Sequence, residues 1–225
     1  MRIFLTGAAG FVGSHVLRHL LVNTDDEIIC PVTFRHKGIP PRMWSATGGL
    51  PEYKNRTFTI PGMDLCAPID PVTRKMIGDV DVIMNVASES HVDRSIEHPG
   101  QFIRNNVELM TSLLDFAREV KPRMFLQMST DEVYGPASMG HLHREWESIR
   151  PSNPYSASKA AQEAVCFSYW RTYGVPVVLT NTMNIIGEMQ DPEKFVPKII
   201  KRLMEGNSVP VHTDREGNAG SRFYL

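Results

Sequence analysis

The sequence predicts an α/β fold, a doubly wound parallel sheet with a small C-terminal lobe, and three observations carry that prediction. Short apolar runs alternate with amphipathic helical stretches along the chain. The first run, residues 2–6 (RIFLT), stops at Gly7 and passes through Gly7-Ala8-Ala9-Gly10-Phe11-Val12-Gly13 into a stretch with Val12, Val16, Leu17, Leu20 and Leu21 at helix spacing. Clusters of chemically active side chains then follow the ends of predicted strands, the edge at which open α/β sheets hold ligands.

In the GxxGxxG turn, Gly7 and Gly10 allow a tight bend and close approach of the backbone to a pyrophosphate, while Gly13 lets the helix pack on the strand. The phosphate then faces the positive end of the helix dipole. This strand-turn-helix context predicts a dinucleotide site at Gly7, Gly10, Phe11, Val12 and Gly13 rather than an ordinary glycine-rich turn. The second strand, 27–34 (EIICPVTF), has no acid at its end for an adenosine ribose. Val32 and Thr33 stand there instead, followed by Arg35, His36 and Lys37. These can hold a 2′-phosphate or form a solvated basic turn, so NAD and NADP both stay open. Pro40-Pro41, Gly48-Gly49 and Pro51 predict an irregular excursion over 39–55 with no chemistry.

A third strand is expected over 57–60. Asp64 and Leu65 follow it, either meeting an adenine or, for the aspartate, closing a turn. The fourth strand, 79–86 (DVDVIMNV), enters Ala87-Ser88-Glu89-Ser90-His91-Val92-Asp93-Arg94 at the ligand edge. Ala87 and Ser88 are candidates for cofactor contact and Ser90 for substrate contact. The spacing of His91, Asp93 and Arg94 is unlike a metal site, and no metal is expected.

Ile103, Val107, Met110, Leu114 and Ala117 mark a long helix over 101–120, ended by Lys121-Pro122. The fifth strand, 123–128 (RMFLQM), places Ser129-Thr130-Asp131-Glu132 just past its end. A loop through Gly135, Pro136 and Gly140 to Pro151-Ser152-Asn153-Pro154 delivers Tyr155 at the start of another helix. Tyr155 and Lys159 are four apart and share a helix face, and an ammonium beside a phenol favours the phenolate. Thr130 can hydrogen-bond the same substrate oxygen, and Asp131 and Glu132 add a second acid/base pair. A Tyr-x-x-x-Lys pattern alone arises often by chance; its place beside two strand ends is what argues for chemistry.

A sixth strand over 175–180 leads to Asn181-Thr182-Met183-Asn184, amides suited to a carboxamide or a sugar diphosphate, or to a turn. Phe195, Val196, Ile199, Ile200 and Leu203 then form an amphipathic helix ringed by Lys194, Lys198, Lys201 and Arg202. A strand-like piece follows at 208–212, and the chain stops at Ser221-Arg222-Phe223-Tyr224-Leu225 in mid-pattern. The expected organisation is a Rossmann-like NAD(P)-binding domain over 1–182 and a partial substrate lobe over 183–225.

With 225 residues, 42% hydrophobic and 22% charged, the chain holds material for one sizeable core, or one domain and part of another. A net charge of -1 gives no basic excess for nucleic acid or an anionic membrane. Cys30, Cys66 and Cys166 show no CxxC spacing, which predicts buried thiols in a reducing compartment and hence the cytoplasm. No signal-like or membrane-length apolar run is visible.

TGAAGFVG at 6–13, ASESHVDRSI at 87–96, STDEVYG at 129–135, NPYSASK at 153–159 and the ordered TN, N and PEKFVPKII pieces within 180–200 together resemble the extended short-chain dehydrogenase/reductases. Within that family the chain is most similar to the NAD-dependent epimerase/dehydratases of the dTDP-glucose 4,6-dehydratase type. Epimerases and decarboxylases share the glycines and the Tyr-x-x-x-Lys but usually lack an Asp-Glu pair after the threonine. The resemblance implies that Tyr155 takes the C4 hydroxyl proton as hydride leaves C4 for a nicotinamide, with Lys159 lowering the tyrosine pKa and Thr130 holding the hydroxyl. Glu132 would remove the C5 proton and Asp131 protonate the departing C6 hydroxyl, and return of hydride to C6 gives a 4-keto-6-deoxy sugar. Two adjacent carboxyls suit that task, because close like charges push their apparent pKa values apart. Asn184 and Lys198 resemble sugar-nucleotide contacts, and helices 101–120 and 155–173 resemble a four-helix dimer interface. The implied cofactor is NAD, with NADP as the alternative, and the implied partners are a nucleoside-diphosphate sugar and a second copy of the chain.

Three departures stand beside the resemblance. The ribose-binding acid is missing, Ile185-Ile186-Gly187-Glu188 replaces a more usual Tyr-Gly-Pro version, and the chain is about a hundred residues shorter than expected for this two-domain family. A nucleotide-sugar 4-epimerase and a truncated, inactive dinucleotide-binding protein are the alternative expectations.

Overall fold

A computed structural model describes residues 1–34, 38–90, 92–138, 140–211 and Gly217. Six parallel strands form one sheet: β1 (Arg2–Thr6), β2 (Glu27–Val32), β3 (Thr57–Pro61), β4 (Val82–Asn85), β5 (Met124–Thr130) and β6 (Val177–Thr182). Their order is β3-β2-β1-β4-β5-β6, so the winding reverses between β1 and β4, where such sheets open a crevice for ligands.

Successive strand residues point to opposite faces, and the buried residues sort accordingly. Phe4, Ile29, Ile83 and Phe125 pack with Met110, Leu113, Leu114 and Cys166 on one face. Ile3, Leu5, Ile28, Cys30 and Val82 pack with Leu17 and Leu21 on the other. Burial on both faces explains why the inner strands read as unbroken apolar runs. Each fully buried large side chain contributes about 1.5–3 kcal/mol of hydrophobic stabilisation. Cys30 and Cys166 are buried, Cys66 half-buried, and all three are free thiols.

The helices are α1 (Phe11–Asn23), α2 (Pro40–Thr47), α3 (Pro51–Asn55), α4 (Pro71–Ile77), α5 (Val92–Glu97), α6 (Pro99–Val120), α7 (Pro154–Tyr173) and α8 (Phe195–Met204). A 3-10 turn covers Asp131–Tyr134. The irregular excursion expected over 39–55 is instead α2 and α3. Prolines occupy the first positions of both, where the missing N–H costs nothing, and Gly48 closes α2 in a left-handed conformation at φ 57°. The same device starts α4, which was not expected: Asp70 caps it by accepting from Val72 N at 2.9 Å and Thr73 N at 3.0 Å, ahead of Pro71. α5 was likewise not expected.

Several boundaries also shift. β2 stops at Val32, β4 is shorter than 79–86, β5 runs two residues further than expected, and β6 lies two residues later. Ser208–Val211, expected as strand, are not in one, and His212 lies outside the described residues.

The chain divides into two compact units, 1–182 and 183–225. The first contains the whole sheet. In the second, α8 buries none of its residues fully, and Gln190 Nε2 donates to Ile185 O at 2.9 Å. No helix among the described residues is long and apolar enough to cross a membrane.

Candidate active site

The glycine turn between β1 and α1 is built so tightly that side chains are excluded. Gly7 has φ +74°, and a Cβ there would stand 2.8 Å from Ala87 N; a Cβ on Gly13 would lie 2.0 Å from Gly7 O. Gly10 N–H closes the turn onto Gly7 O at 2.8 Å. Gly10 is also the N-cap of α1, with no side-chain cap and no acid in the first turn, which begins at Phe11 and Val12. The amides of that turn therefore meet no built-in acceptor from the cap, the arrangement that receives an anionic group. The fit to a dinucleotide pyrophosphate rests on this cradle.

Thr6 joins the two strands at the winding reversal. Its Oγ1 donates to Asn85 Oδ1 at 2.6 Å and accepts from Val86 N and Ala87 N at 3.2 and 3.1 Å. Ala87 is thereby fixed against the glycine turn. Ser88 Oγ lies 3.1 Å from Glu89 O and 3.4 Å from Asn106 Oδ1, and Ser90 is exposed. After β3, Asp64 accepts the Cys66 N–H at 3.0 Å in a turn, while Leu65 packs on the core that holds Phe4. Arg35, His36, Lys37, His91, Ser221, Arg222 and Phe223 lie outside the described residues.

The second cluster sits at the ends of β5 and β6. Ser129 and Thr130 are the last two residues of β5 rather than the first beyond it. Thr130 caps the 3-10 turn by accepting the Glu132 N–H at 3.3 Å, and its hydroxyl lies 3.2 Å from Asp131 Oδ1. Asn153 caps α7 in a reciprocal capping box with Ser156 and also donates from Nδ2 to Glu132 Oε2 at 3.2 Å. One turn thus carries Asp131 and Glu132 against the start of the helix that carries Tyr155. Phe102 packs edge-on to the Tyr155 ring at 6.3 Å.

Burial first, then the Glu132 and Asp131 charges, push the Tyr155 phenol above its ordinary pKa, with the Thr130 hydrogen bond working the other way. Lys159 is buried, which lowers its ammonium to about 8. The expected depression of the tyrosine by Lys159 is not found. The Lys159 Nζ turns inward, donating to Met128 O at 2.7 Å and Gln162 Oε1 at 2.8 Å, while carboxylates are the charges that act on the phenol.

Three residues that the sequence reading passed over hold this cluster. Gln162 Oε1 also accepts from Gln127 Nε2 at 3.1 Å, and its amide donates to Asn106 O at 2.8 Å. Gln127 in turn accepts from Asn85 Nδ2 at 2.7 Å, so hydrogen bonds run through the sheet from Thr6 to Lys159. Asn106 Nδ2 donates to Ser158 Oγ at 2.8 Å. Glu163 is buried, accepting from Ser129 Oγ and from Asn181 Nδ2, the latter at 2.8 Å. The legible signal is spacing: Gln162 and Glu163 follow Lys159 by three and four residues and share its inward face. Asn181, expected in a loop, is a β6 residue engaged inside the first unit. Asn184 follows β6 in the second unit, and Lys198 is exposed on α8.

The family model described as the NAD dependent epimerase/dehydratase family matches residues 3–219. The chain is 37% identical over 214 residues to the low-salt glycan biosynthesis protein Agl12 of Haloferax volcanii, covering 95% of this chain and 66% of that protein. The crystal structure of DesIV, a dTDP-glucose 4,6-dehydratase from Streptomyces venezuelae with NAD and TYD bound, superposes with a TM-score of 0.84 at 33% identity. That match covers 95% of this chain and 65% of the other. A UDP-glucuronic acid 4-epimerase from Bacillus cereus, in complex with UDP-glucuronic acid and NAD, gives 0.81 at 26%, covering 92% and 64%. The chain spans just under two thirds of the length of these relatives. With a family model matched from the first strand to beyond α8 and the glycine cradle in place, the chain belongs to the NAD dependent epimerase/dehydratase family.

Proposed function

We propose that the protein is a nucleotide-sugar 4,6-dehydratase, acting on a nucleoside-diphosphate hexose of the dTDP-glucose kind with NAD as its resident cofactor. The observation that carries this reading is the carboxyl pair Asp131-Glu132 on a single 3-10 turn that Thr130 caps and Asn153 ties to the Tyr155 helix. Oxidation and reduction at a carbinol need only a tyrosine and a cofactor. Loss of water from the neighbouring carbons needs an additional base and an additional acid.

NAD, held at Gly7, Gly10, Phe11, Val12 and Gly13 with Ala87 and Ser88 beside the turn, would supply reversible hydride acceptance. Tyr155 would take the C4 hydroxyl proton while Thr130 holds that hydroxyl. The resulting ketone acidifies the C5 hydrogen, which Glu132 would remove as Asp131 protonates the departing C6 hydroxyl. The carboxylates that hinder phenolate formation make the roles interdependent. When Asp131 carries a proton as the general acid, one of the two charges opposing the phenolate is gone. Lys159 would act through Met128 O and Gln162, a positioning role. Asn184 and Lys198 are assigned to the sugar nucleotide by family resemblance, and Ser90 by its place beyond the end of β4; Asp64 and Leu65, which follow β3, would meet the adenine. A homodimer through α6 and α7 accompanies this reading, supported by the exposed Phe167, Trp170 and Tyr173 on α7. A monomeric sedimentation profile would contradict it.

The second reading, a nucleotide-sugar 4-epimerase, is supported by the similarity to the Bacillus cereus epimerase. Incubation with dTDP-glucose separates the two. A 4-keto-6-deoxy product supports dehydration, whereas a C4-inverted sugar without loss of water defeats it.

A further inference from the structure

Between the 3-10 turn and α7 the chain makes an excursion over residues 135–153 that carries a second group of ligating side chains. Its two ends are pinned. Arg150 N–H donates to Val133 O at 2.8 Å, and Gly135 passes so close to Arg150 O that a Cβ would stand 2.4 Å from it. Between them no residue among those described is in a helix or strand. What holds this span is a side-chain cluster: His141 Nε2 lies 3.0 Å, and His143 Nδ1 2.7 Å, from the same oxygen, Oε2 of Glu147.

The surroundings fix that convergence. The Arg144 N–H donates to the other Glu147 oxygen, Oε1, at 3.2 Å, which leaves Oε2 to both rings. His143 stacks on the Tyr134 ring at 5.3 Å, and Tyr134 Oη donates to Glu145 O at 3.2 Å. His141 meets His143 edge-on at 4.8 Å. The other ring nitrogen of His143, Nε2, is buried with no partner among the described residues, while Nδ1 faces Glu147. His141 is 43% exposed and Glu147 28%, which gives an ion a way in.

We propose that His141, His143 and Glu147 form a binding site for a zinc-class divalent ion that staples the loop between the 3-10 turn and α7. One candidate donor atom from each residue lies within 4.8 Å of the others. An ion about 2.0–2.2 Å from each tetrahedral ligand needs those atoms roughly 3.3–3.6 Å apart, so the two imidazole nitrogens, now 3.0 and 2.7 Å from Oε2, must draw back from it by about 0.3–0.9 Å through rotation of their side chains. Two imidazoles and one carboxylate, with a fourth position open to water, suit zinc-class ions, whereas calcium and magnesium favour all-oxygen sets. The sequence reading expected no metal from the spacing around His91; this turn is a different place, and its ion takes no part in hydride or proton transfer. The inference stands apart from the dehydratase reading.

The test is titration of chelator-stripped protein with Zn2+ by calorimetry and with Co2+ by absorption, beside the His141→Ala/His143→Ala double variant and Glu147→Gln. One ion per chain is expected, with cobalt bands of a nitrogen and oxygen site and no thiolate charge-transfer band. Affinity should fall about 10–100-fold or more in the variants. Zinc should also slow proteolytic nicking within 136–149 in the parent protein and not in the double variant. Absence of a stoichiometric ion, an ion bound as tightly by the double variant, a thiolate band, or zinc binding that leaves nicking unchanged would each overturn the proposal.

Discussion

Asn153 and Glu132 are joined by a hydrogen bond of 3.2 Å from Nδ2 to Oε2, so the residue that caps α7 also orients the carboxyl proposed as the base. The same side chain accepts the Ser156 N–H through Oδ1 at 2.9 Å. Stability and catalysis therefore meet in one amide. Asn153→Ala is expected to lower stability by about 1 kcal/mol through the lost cap. Asn153→Asp keeps the cap but sets a carboxylate against Glu132. Melting temperature should fall in the first variant and change little in the second, while turnover falls in both; equal turnover in Asn153→Asp and the parent would show that the Glu132 contact is incidental.

Glu132→Gln and Asp131→Asn separate dehydration from oxidation. Each is expected to reduce formation of the 4-keto-6-deoxy product by about 10²–10⁴-fold, the usual worth of a positioned acid or base. Reduced-nicotinamide absorbance should accumulate on adding substrate, because the first step remains possible and the second does not. Removing the Glu132 charge should also bring the Tyr155 phenol down toward its ordinary range, since that charge is the largest cause after burial that raises it. A difference titration against Tyr155→Phe in the same background reads that shift directly.

The parts of the site legible in the sequence are those set by local geometry. Gly7, Gly10 and Gly13 are read correctly as a tight cradle because a turn of seven residues fixes its own sterics. The prolines at 40, 41 and 51 mislead, because proline ends a helix from inside and starts one from its first turn; Ile39 and Leu50 before them make no side-chain cap, so nothing local marks these starts as Asp70 marks that of α4. The shared face of Tyr155 and Lys159 follows from their spacing. Where the ammonium turns does not, because its partners Met128 O and Gln162 Oε1 are reached through a strand and a rotamer that spacing leaves open. Spacing gives the inward face of Gln162 and Glu163 but not their partners, and Asn106 stays hidden altogether, because only the stacking of α6 and α7 on β5 and β6 brings these side chains together.

Gly13→Ala tests whether the cradle serves a ligand as well as the fold. A methyl group 2.0 Å from Gly7 O forces the first turn of α1 away from β1. Overpacking of this kind costs about 1–3 kcal/mol. NAD affinity should fall further than stability, since displacement of the first-turn amides alters every contact a pyrophosphate makes there. NAD binding by calorimetry and thermal unfolding without NAD give the two quantities; an unchanged affinity alongside a lowered melting temperature would limit Gly13 to a packing role.

Lys159 makes stability depend on pH in a direction that can be worked out. Burial lowers its pKa from 10.5 to about 8 in the folded protein. Between those values the unfolded chain binds more protons than the folded one, so stability rises with pH, and the cost of holding the charged form is fully present below about 8. That cost is on the order of 3 kcal/mol. The buried thiols act oppositely: Cys30 and Cys166 are pushed up to about 12 from 9, so their contribution is lost as pH rises above 9. Between pH 8 and 9 the thiols contribute little, but the amino terminus, raised above 8.0 by its hydrogen bond to Asp26, loses stability as pH rises there, so the Lys159 effect is read as a difference from a variant. There, denaturant midpoints of the parent should climb relative to Lys159→Met, in which no group titrates at this position. In that variant Gln127 Nε2 still donates to Gln162 Oε1 at 3.1 Å and to Met128 O at 3.0 Å, so both acceptors of the ammonium keep a side-chain donor, and whatever is lost with the Lys159 bonds does not vary with pH. Parallel pH curves for parent and variant would mean that Lys159 titrates near its ordinary value and is solvated more than its burial implies.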